Sequence, residues 1–136
     1  MVSFDGFQTM QDGKYLETIT QSVEVDFTHK KIIGGGGEFA KVKIRLEPLL
    51  RGAGIQFESV VRDGSVPAEC IGGVEEGIRK AAKTGVLAGG RVVDFKATLI
   101  GGAYHEMDSN WRTFGLAAQG AFWEGMRKAG PKYLLD

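Results

Sequence analysis

The chain has 136 residues, a length that suits one domain and argues against a second independent core. Its composition, 43% hydrophobic and 25% charged, is typical of globular domains and argues against a disordered chain. Seventeen basic and 17 acidic side chains cancel, so contact with a nucleic acid would have to rest on a local patch. No apolar run approaches the roughly 20 residues that span a bilayer, and we expect no membrane partner.

The first half of the chain predicts strands. Residues 1–13 show no periodicity and are interpreted as a lead-in to a domain over 14–136. Alternation from residue 15 to 27 predicts a half-buried strand with one face formed by Tyr15, Glu17, Ile19, Gln21, Val23, Val25 and Phe27. After a run of four glycines, residues 39–47 alternate more cleanly. Their apolar side chains should meet the core, while Lys41, Lys43 and Arg45 stand on the open face.

The second half predicts a third strand, two helices and a fourth strand. The third strand is expected around 55–61, and a helix follows with Ser65 as N-cap, Pro67 in its first turn and Gly85 as its stop. Alternation over 91–100 predicts the fourth strand. The last helix is expected to begin after Ser109 or Asn110 and to end at 130–131. This order predicts a two-layer α+β sandwich.

Three stretches are more specific than this pattern. The first runs Asp26-Phe-Thr-His-Lys-Lys31 and, after two residues, Gly34-Gly-Gly-Gly-Glu-Phe-Ala-Lys-Val-Lys43. The second is Ser65-Val-Pro67 followed by Val74-Glu-Glu-Gly-Ile78, and the third is Gly102-Ala-Tyr-His-Glu-Met-Asp-Ser109. In this order and spacing they resemble the fourth domain of translation elongation factor G over about residues 14–135. Agreement of three separate motifs is far more specific than a glycine run alone.

The resemblance implies a four-stranded sheet with two helices on one face and a left-handed βαβ crossover, an exception to the usual right-handed rule. It also implies a non-catalytic, ribosome-binding arm that enters the small-subunit decoding site and promotes translocation. The implied partners are the small ribosomal subunit, rRNA, tRNA, mRNA and the remaining domains of the parent factor. Because the chain lacks a G-x-x-x-x-G-K-[S/T] motif, we expect no cofactor here and GTP only on other domains. The implied location is the cytoplasm, with an organellar matrix as the alternative.

Two loops would form the tip of that arm, one around residues 34–37 and one around 103–109. Bare glycine backbone lets RNA approach closely, lysines attract phosphate, and an aromatic or histidine ring can stack on an exposed base. The residues expected to contact RNA or the ribosome are His29, Lys30, Lys31, Gly34, Gly35, Gly36, Gly37, Lys41, Lys43, Tyr104, His105, Asp108 and Ser109.

Two other functions stay open at this point. Ile32, Ile33 and Glu38 depart from the family's polar pattern, and with the zero net charge they suit a protein-interaction module that kept the fold. The row of Lys41, Lys43 and Arg45 is equally well interpreted as a solvated strand face.

A small hydrolase built on His105, Asp108 and Ser109 is the third hypothesis. These residues lie in one short loop, whereas a catalytic triad normally gathers distant segments, so we expect no catalysis and no metal site. Cys70 is expected to be a buried apolar residue and not a nucleophile.

Overall fold

The computed structural model describes residues 10–11 and 14–134, and within them the chain forms eight strands and two helices. In chain order they are β1 (Met10–Gln11), β2 (Lys14–Tyr15), β3 (Glu17–Thr18), β4 (Val23–Ile33), β5 (Gly36–Pro48), β6 (Ile55–Ser59), α1 (Ala68–Ala81), β7 (Phe95–Ala103), α2 (Trp111–Lys128) and β8 (Lys132–Tyr133). Of the expected lead-in over 1–13, only β1 is described, paired with β2. The rest of that prediction lies outside the described residues.

The main sheet has the strand order β4-β5-β7-β6. β4 pairs with β5 and β5 with β7 in antiparallel fashion, whereas β7 and β6 are parallel. Parallel neighbours need a crossover, and α1 lies within the segment that joins them. The expected α+β class, with a four-stranded sheet and two helices, is therefore confirmed; the left hand of the crossover stays a prediction from the resemblance.

One face of the sheet carries the core. Ala40, Val42, Ile44 and Leu46 of β5 are buried, as the alternation predicted, and they pack with apolar side chains of both helices. The helices themselves approach closely, because a Cβ at Gly77 of α1 would lie only 2.4 Å from the Gly115 carbonyl oxygen of α2. The opposite face of β5, with its basic side chains, remains uncovered.

The predicted strand over 15–27 is wrong in its first half. β4 begins only at Val23, and the four residues 16–19 are all buried in place of alternating. The reason is that β3 is enclosed on both sides. It pairs with β8, and Glu17 also forms a bridge with Val92.

The end of the sheet where β7 begins is organised by two carboxylates, and we call the region formed by residues 15–21, 49–54, 82–94 and 129–134 the base. Glu17, fully buried, accepts hydrogen bonds from the backbone N–H groups of Leu87, Ala88 and Gly90 at 2.9–3.0 Å. Gly85 was expected to stop the first helix, but the helix ends at Ala81. A Cβ at Gly85 would lie 2.1 Å from Glu17 Oε1, so the glycine leaves room for this carboxylate.

Asp94 is the second carboxylate of the base. It accepts from the N–H groups of Gly52 and Gly54 at 3.1 and 2.9 Å, and its own φ is +63°. This left-handed residue breaks the alternation predicted for 91–100. As a result β7 begins at Phe95, and Val92 is more deeply buried than Val93.

Of the two predicted helix starts, one is wrong and the other is confirmed. Pro67, not Ser65, is the N-cap residue of α1, and no side chain caps this helix; Ser65 lies in a preceding turn, where its N–H donates to the Asp63 carboxylate. Asn110 caps α2 as predicted: its side chain accepts from the Thr113 N–H, and the Thr113 hydroxyl accepts from the Asn110 N–H. Gly130, with φ +62°, follows the C-cap of α2 as expected.

Candidate functional site

The β4–β5 hairpin ends in a two-residue turn at Gly34 and Gly35. Gly35 has φ +83°, a conformation that favours glycine, and Gly36 pairs with Ile33 as the first residue of β5. The four-glycine run is thus half turn and half strand. A Cβ at Gly34, Gly35 or Gly36 would meet no atom within 4 Å, so this backbone faces open space.

A second loop, residues 104–110, lies against the hairpin end; we call residues 29–41 and 104–110 together the tip. The Phe39 N–H donates to the Asp108 carbonyl oxygen at 2.9 Å, and the Ser109 hydroxyl donates to the Phe39 carbonyl oxygen at 2.5 Å. The His105 ring stacks on Phe39 with 3.9 Å between ring centroids and 8° between planes. The prediction that both loops lie at the same end of the sheet is confirmed.

Glu38 connects the two strands of the tip to α2. The His29 Nε2–H of β4 donates to Glu38 Oε1 at 2.9 Å, and the Arg112 guanidinium of α2 donates to Oε2 at 2.5 Å. These two hydrogen bonds, that of His29 first, hold the pKa of the Glu38 carboxyl below its ordinary value. Each oxygen of this carboxylate therefore accepts a hydrogen bond from a side chain of another element.

The basic residues of the open face fall into two groups. Near the tip, Lys30 lies opposite Phe39, and Lys41 lies opposite Thr28 and Ala103, so no acid faces them across the described strands. Lys31 is also exposed at this end, but it lies on the other face of the hairpin, opposite Glu38.

Further down the face the basic residues are opposed by acids. Lys43 lies opposite Asp26, and the Arg45 Nε is 3.3 Å from Glu24 Oε2. Lys43 is also about 23 Å from the turn, given about 3.3 Å per residue along β5. The three basic residues lie on the open face as predicted, but β4 supplies two carboxylates to that face, so its cationic part is the end near the tip.

The residues of the hydrolase hypothesis are adjacent but are not arranged as a triad. Ser109 Oγ accepts from the His105 backbone N–H at 2.9 Å while its hydrogen goes to the Phe39 carbonyl. Among the described residues, no hydrogen bond joins the His105 ring to Ser109 or Asp108. The hydroxyl thus has no general base, which nucleophilic attack requires. Across the same described ranges, no cluster of three or more His, Cys, Asp or Glu residues is placed to hold a metal ion.

Sequence reasoning missed Phe39 as a functional part of the tip and Arg112 as a partner of the tip. The alternation of β5 would have put Phe39 on the open face beside Lys41, which was a usable signal. Arg112 gave none, because it lies 74 residues after the glutamate that it contacts.

Comparison with known protein families identifies the family to which this chain is related. Residues 14–130 match the family described as elongation factor G, domain IV. The chain belongs to this family. Elongation factor G proteins of Orientia tsutsugamushi strain Ikeda and Wolbachia pipientis are 57% and 54% identical to it over 120 residues. Those 120 residues are 88% of this chain and 17% of either relative.

A solved structure shares the fold of this domain IV chain. It is a crystal structure of a protein from Thermus thermophilus, with a TM-score of 0.79 and 42% sequence identity, covering 85% of this chain and 17% of that one. The chain thus spans about a sixth of the length of the proteins that it matches. In the part of the domain that the structure describes, no helix is long and apolar enough to cross a membrane.

Proposed function

We propose that this chain is the ribosome-binding arm of an elongation factor G-like translation factor. Its tip would enter the small-subunit decoding site, contact rRNA, tRNA and mRNA, and promote translocation. The arm would work without catalytic residues or cofactor of its own, in the cytoplasm or an organellar matrix, while other domains of the factor bind GTP. The observation that carries the proposal is the match to the elongation factor G domain IV family over residues 14–130, whose tip motifs meet at one end of the sheet.

The chemistry of the tip supports an RNA ligand that is contacted through shape and charge. The open backbone at Gly34, Gly35 and Gly36 lets a phosphate or ribose approach without a Cβ in the way. Lys30 and Lys41 lie on the same face of adjacent strands with no acid opposite them, so they would attract phosphate. No residue in this set is placed to distinguish one base from another.

The ring pair Phe39–His105 supports contact with an unpaired base. Stacking on Phe39 fixes the plane of the His105 ring, and His105 is exposed, so a base would extend an existing stack without ordering a free side chain. Tyr104, 42% exposed, is next to it in the same loop.

The test is binding of this chain to purified small ribosomal subunits over a series of salt concentrations. His105→Ala should weaken binding about tenfold, since stacking contributes roughly 1–3 kcal/mol per base. Lys30→Ala should lower the slope of log affinity against log salt by about one unit. Lys83→Ala, an exposed lysine at the base, is the matched control and should change neither quantity.

A protein-interaction module is the second candidate because two large apolar side chains stand in solvent at the tip. Ile32 is 84% exposed and Met107 is 92% exposed. Apolar docking depends little on salt. Binding that is unchanged by salt and by His105→Ala, but is lost in Ile32→Ser/Met107→Ser, would therefore replace the RNA proposal with this one.

A further inference from the structure

A hollow on the helix side of the tip includes Tyr104, one of the residues proposed for RNA contact, but adds carboxylates that an RNA ligand would not use. It has a volume of about 350 Å³, and its lining includes Tyr104 and Glu106 of the second loop, Glu69 of α1 and Trp111 of α2. The sheet face with Lys30 and Lys41 lies on the other side of the tip, so a ligand in the hollow would not compete with RNA on that face.

Two aromatic side chains of the hollow are accessible to a ligand. Tyr104 is 42% exposed and Trp111 is 44% exposed. Within the described part of the chain, neither the Tyr104 hydroxyl nor the Trp111 indole N–H has a hydrogen-bond partner. A bound group would therefore gain ring contacts, and a donor group could also use the Tyr104 hydroxyl as acceptor, without breaking an interaction of the domain.

The charge of the hollow is negative. Glu69 and Glu106 are both exposed, and no lysine or arginine of the described residues lines the hollow. The N-termini of α1 and α2 also lie here, and each helix dipole is equivalent to about +0.5 charge. Two full carboxylate charges exceed these two partial charges, so an anion is disfavoured and a cation is favoured.

We propose that this hollow binds an arginine side chain presented by a basic polypeptide segment of a partner protein. A guanidinium stacks on aromatic rings and forms paired hydrogen bonds with carboxylates, whereas an ammonium does only part of this. The domain would then have two recognition surfaces at one end: cationic sheet residues for RNA and an acidic aromatic hollow for protein. The proposal does not depend on RNA binding by the tip.

Trp111 supplies a direct readout. The chain contains two tryptophans, so a Trp123→Phe background leaves Trp111 as the only one. Titration with an eight-residue peptide of alternating arginine and glycine, at low salt, should change Trp111 emission in a saturable way. The corresponding lysine–glycine peptide should bind several-fold more weakly. Circular dichroism confirms that each variant is folded.

Matched charge variants decide whether the carboxylates of the hollow are responsible. Glu69→Gln/Glu106→Gln should weaken the arginine peptide about tenfold, at about threefold for each exposed ion pair. Glu24→Gln/Glu47→Gln removes the same net charge from the sheet face and should change the affinity less than twofold. Equal weakening by the two pairs would overturn the proposal, because only net charge would then matter. Saturable quenching by a uridine hexamer that competes with the peptide would overturn it too, by assigning the hollow to RNA.

Discussion

Carboxylates organise both ends of the sheet, but in opposite surroundings. At the base, Glu17 is fully buried and accepts hydrogen bonds from three backbone N–H groups of the 86–90 segment. At the tip, Glu38 is near the surface and its two oxygens accept from the side chains of His29 and Arg112. Glu17 is therefore hydrogen-bonded to the backbone, whereas Glu38 is hydrogen-bonded to side chains that water and ions also reach.

From this difference we infer that the base stabilises the fold, whereas the tip can be rearranged. A buried carboxylate that satisfies backbone donors cannot be removed without leaving those donors unpaired in the interior, which is costly. Exposed ion pairs contribute little to stability and are screened by salt, so they can be rearranged while the fold persists. We expect the tip to tolerate changes that the base does not.

Glu17→Gln should have the largest effect. The amide NH₂ would face backbone N–H groups that now donate to a carboxylate oxygen, and we expect the free energy of unfolding to fall by about 3 kcal/mol. Urea denaturation followed by circular dichroism measures this loss. Glu38→Gln is the matched tip variant and should leave the denaturation midpoint almost unchanged; equal losses in the two variants would remove the distinction between the ends.

A pair of glycine substitutions should separate stability from binding. At Gly90 a Cβ would lie 1.8 Å from the Tyr15 carbonyl oxygen, so Gly90→Ala forces the backbone apart and should cost about 2 kcal/mol or more. At Gly36 a Cβ meets nothing within 4 Å, so Gly36→Ala should leave thermal stability unchanged. If RNA backbone approaches the hairpin end, Gly36→Ala should nevertheless weaken binding to small subunits. Loss of stability in Gly36→Ala would contradict the open geometry of the turn.

The smallest effect is a pH dependence confined to the tip. The pKa of Glu38 is lowered by hydrogen bonds from His29 and Arg112, so the contribution of the pairing is complete above the ordinary glutamate pKa. It is lost as the pH falls through the lowered pKa of the folded state. Amide NMR signals of Phe39 and His105 should therefore shift as the pH falls below the ordinary glutamate pKa, while those of the base do not. The same shifts in Glu38→Gln would show that another group is titrating.

Much of the fold followed from periodicity and helix caps. The alternation over 39–47 correctly gave the buried and open faces of β5, and Asn110 correctly marked the start of α2. Prediction failed where distant backbone determines local structure. Glu17 fits a polar position in an alternating strand, and nothing nearby in sequence announces that donors 70–73 residues later converge on it. The positive φ of Asp94 is equally invisible, because it is stabilised by the turn at Gly52 and Gly54.

The location of the candidate site was predicted from the sequence, but the contacts within it were not. Motif resemblance brought the glycine turn and the 104–110 loop to one end, and the structure places them in contact. The internal partners of the tip were not foreseen. His105 is stacked on Phe39, and Glu38 is shared by His29 and Arg112. Which residues touch RNA stays a prediction.

The strand order also determines when the sheet of this domain can form as the chain is synthesised. β5 ends at Pro48, but its inner neighbour β7 begins only at Phe95. At roughly 5–20 residues per second, a nascent chain passes about 2–10 s with the β4–β5 hairpin emerged and no strand to cover its inner edge. The apolar face of that hairpin waits longer still for α2, which begins only at Trp111. Folding of the domain is therefore a late, long-range event, in which nearly the whole chain must be present before the sheet is complete.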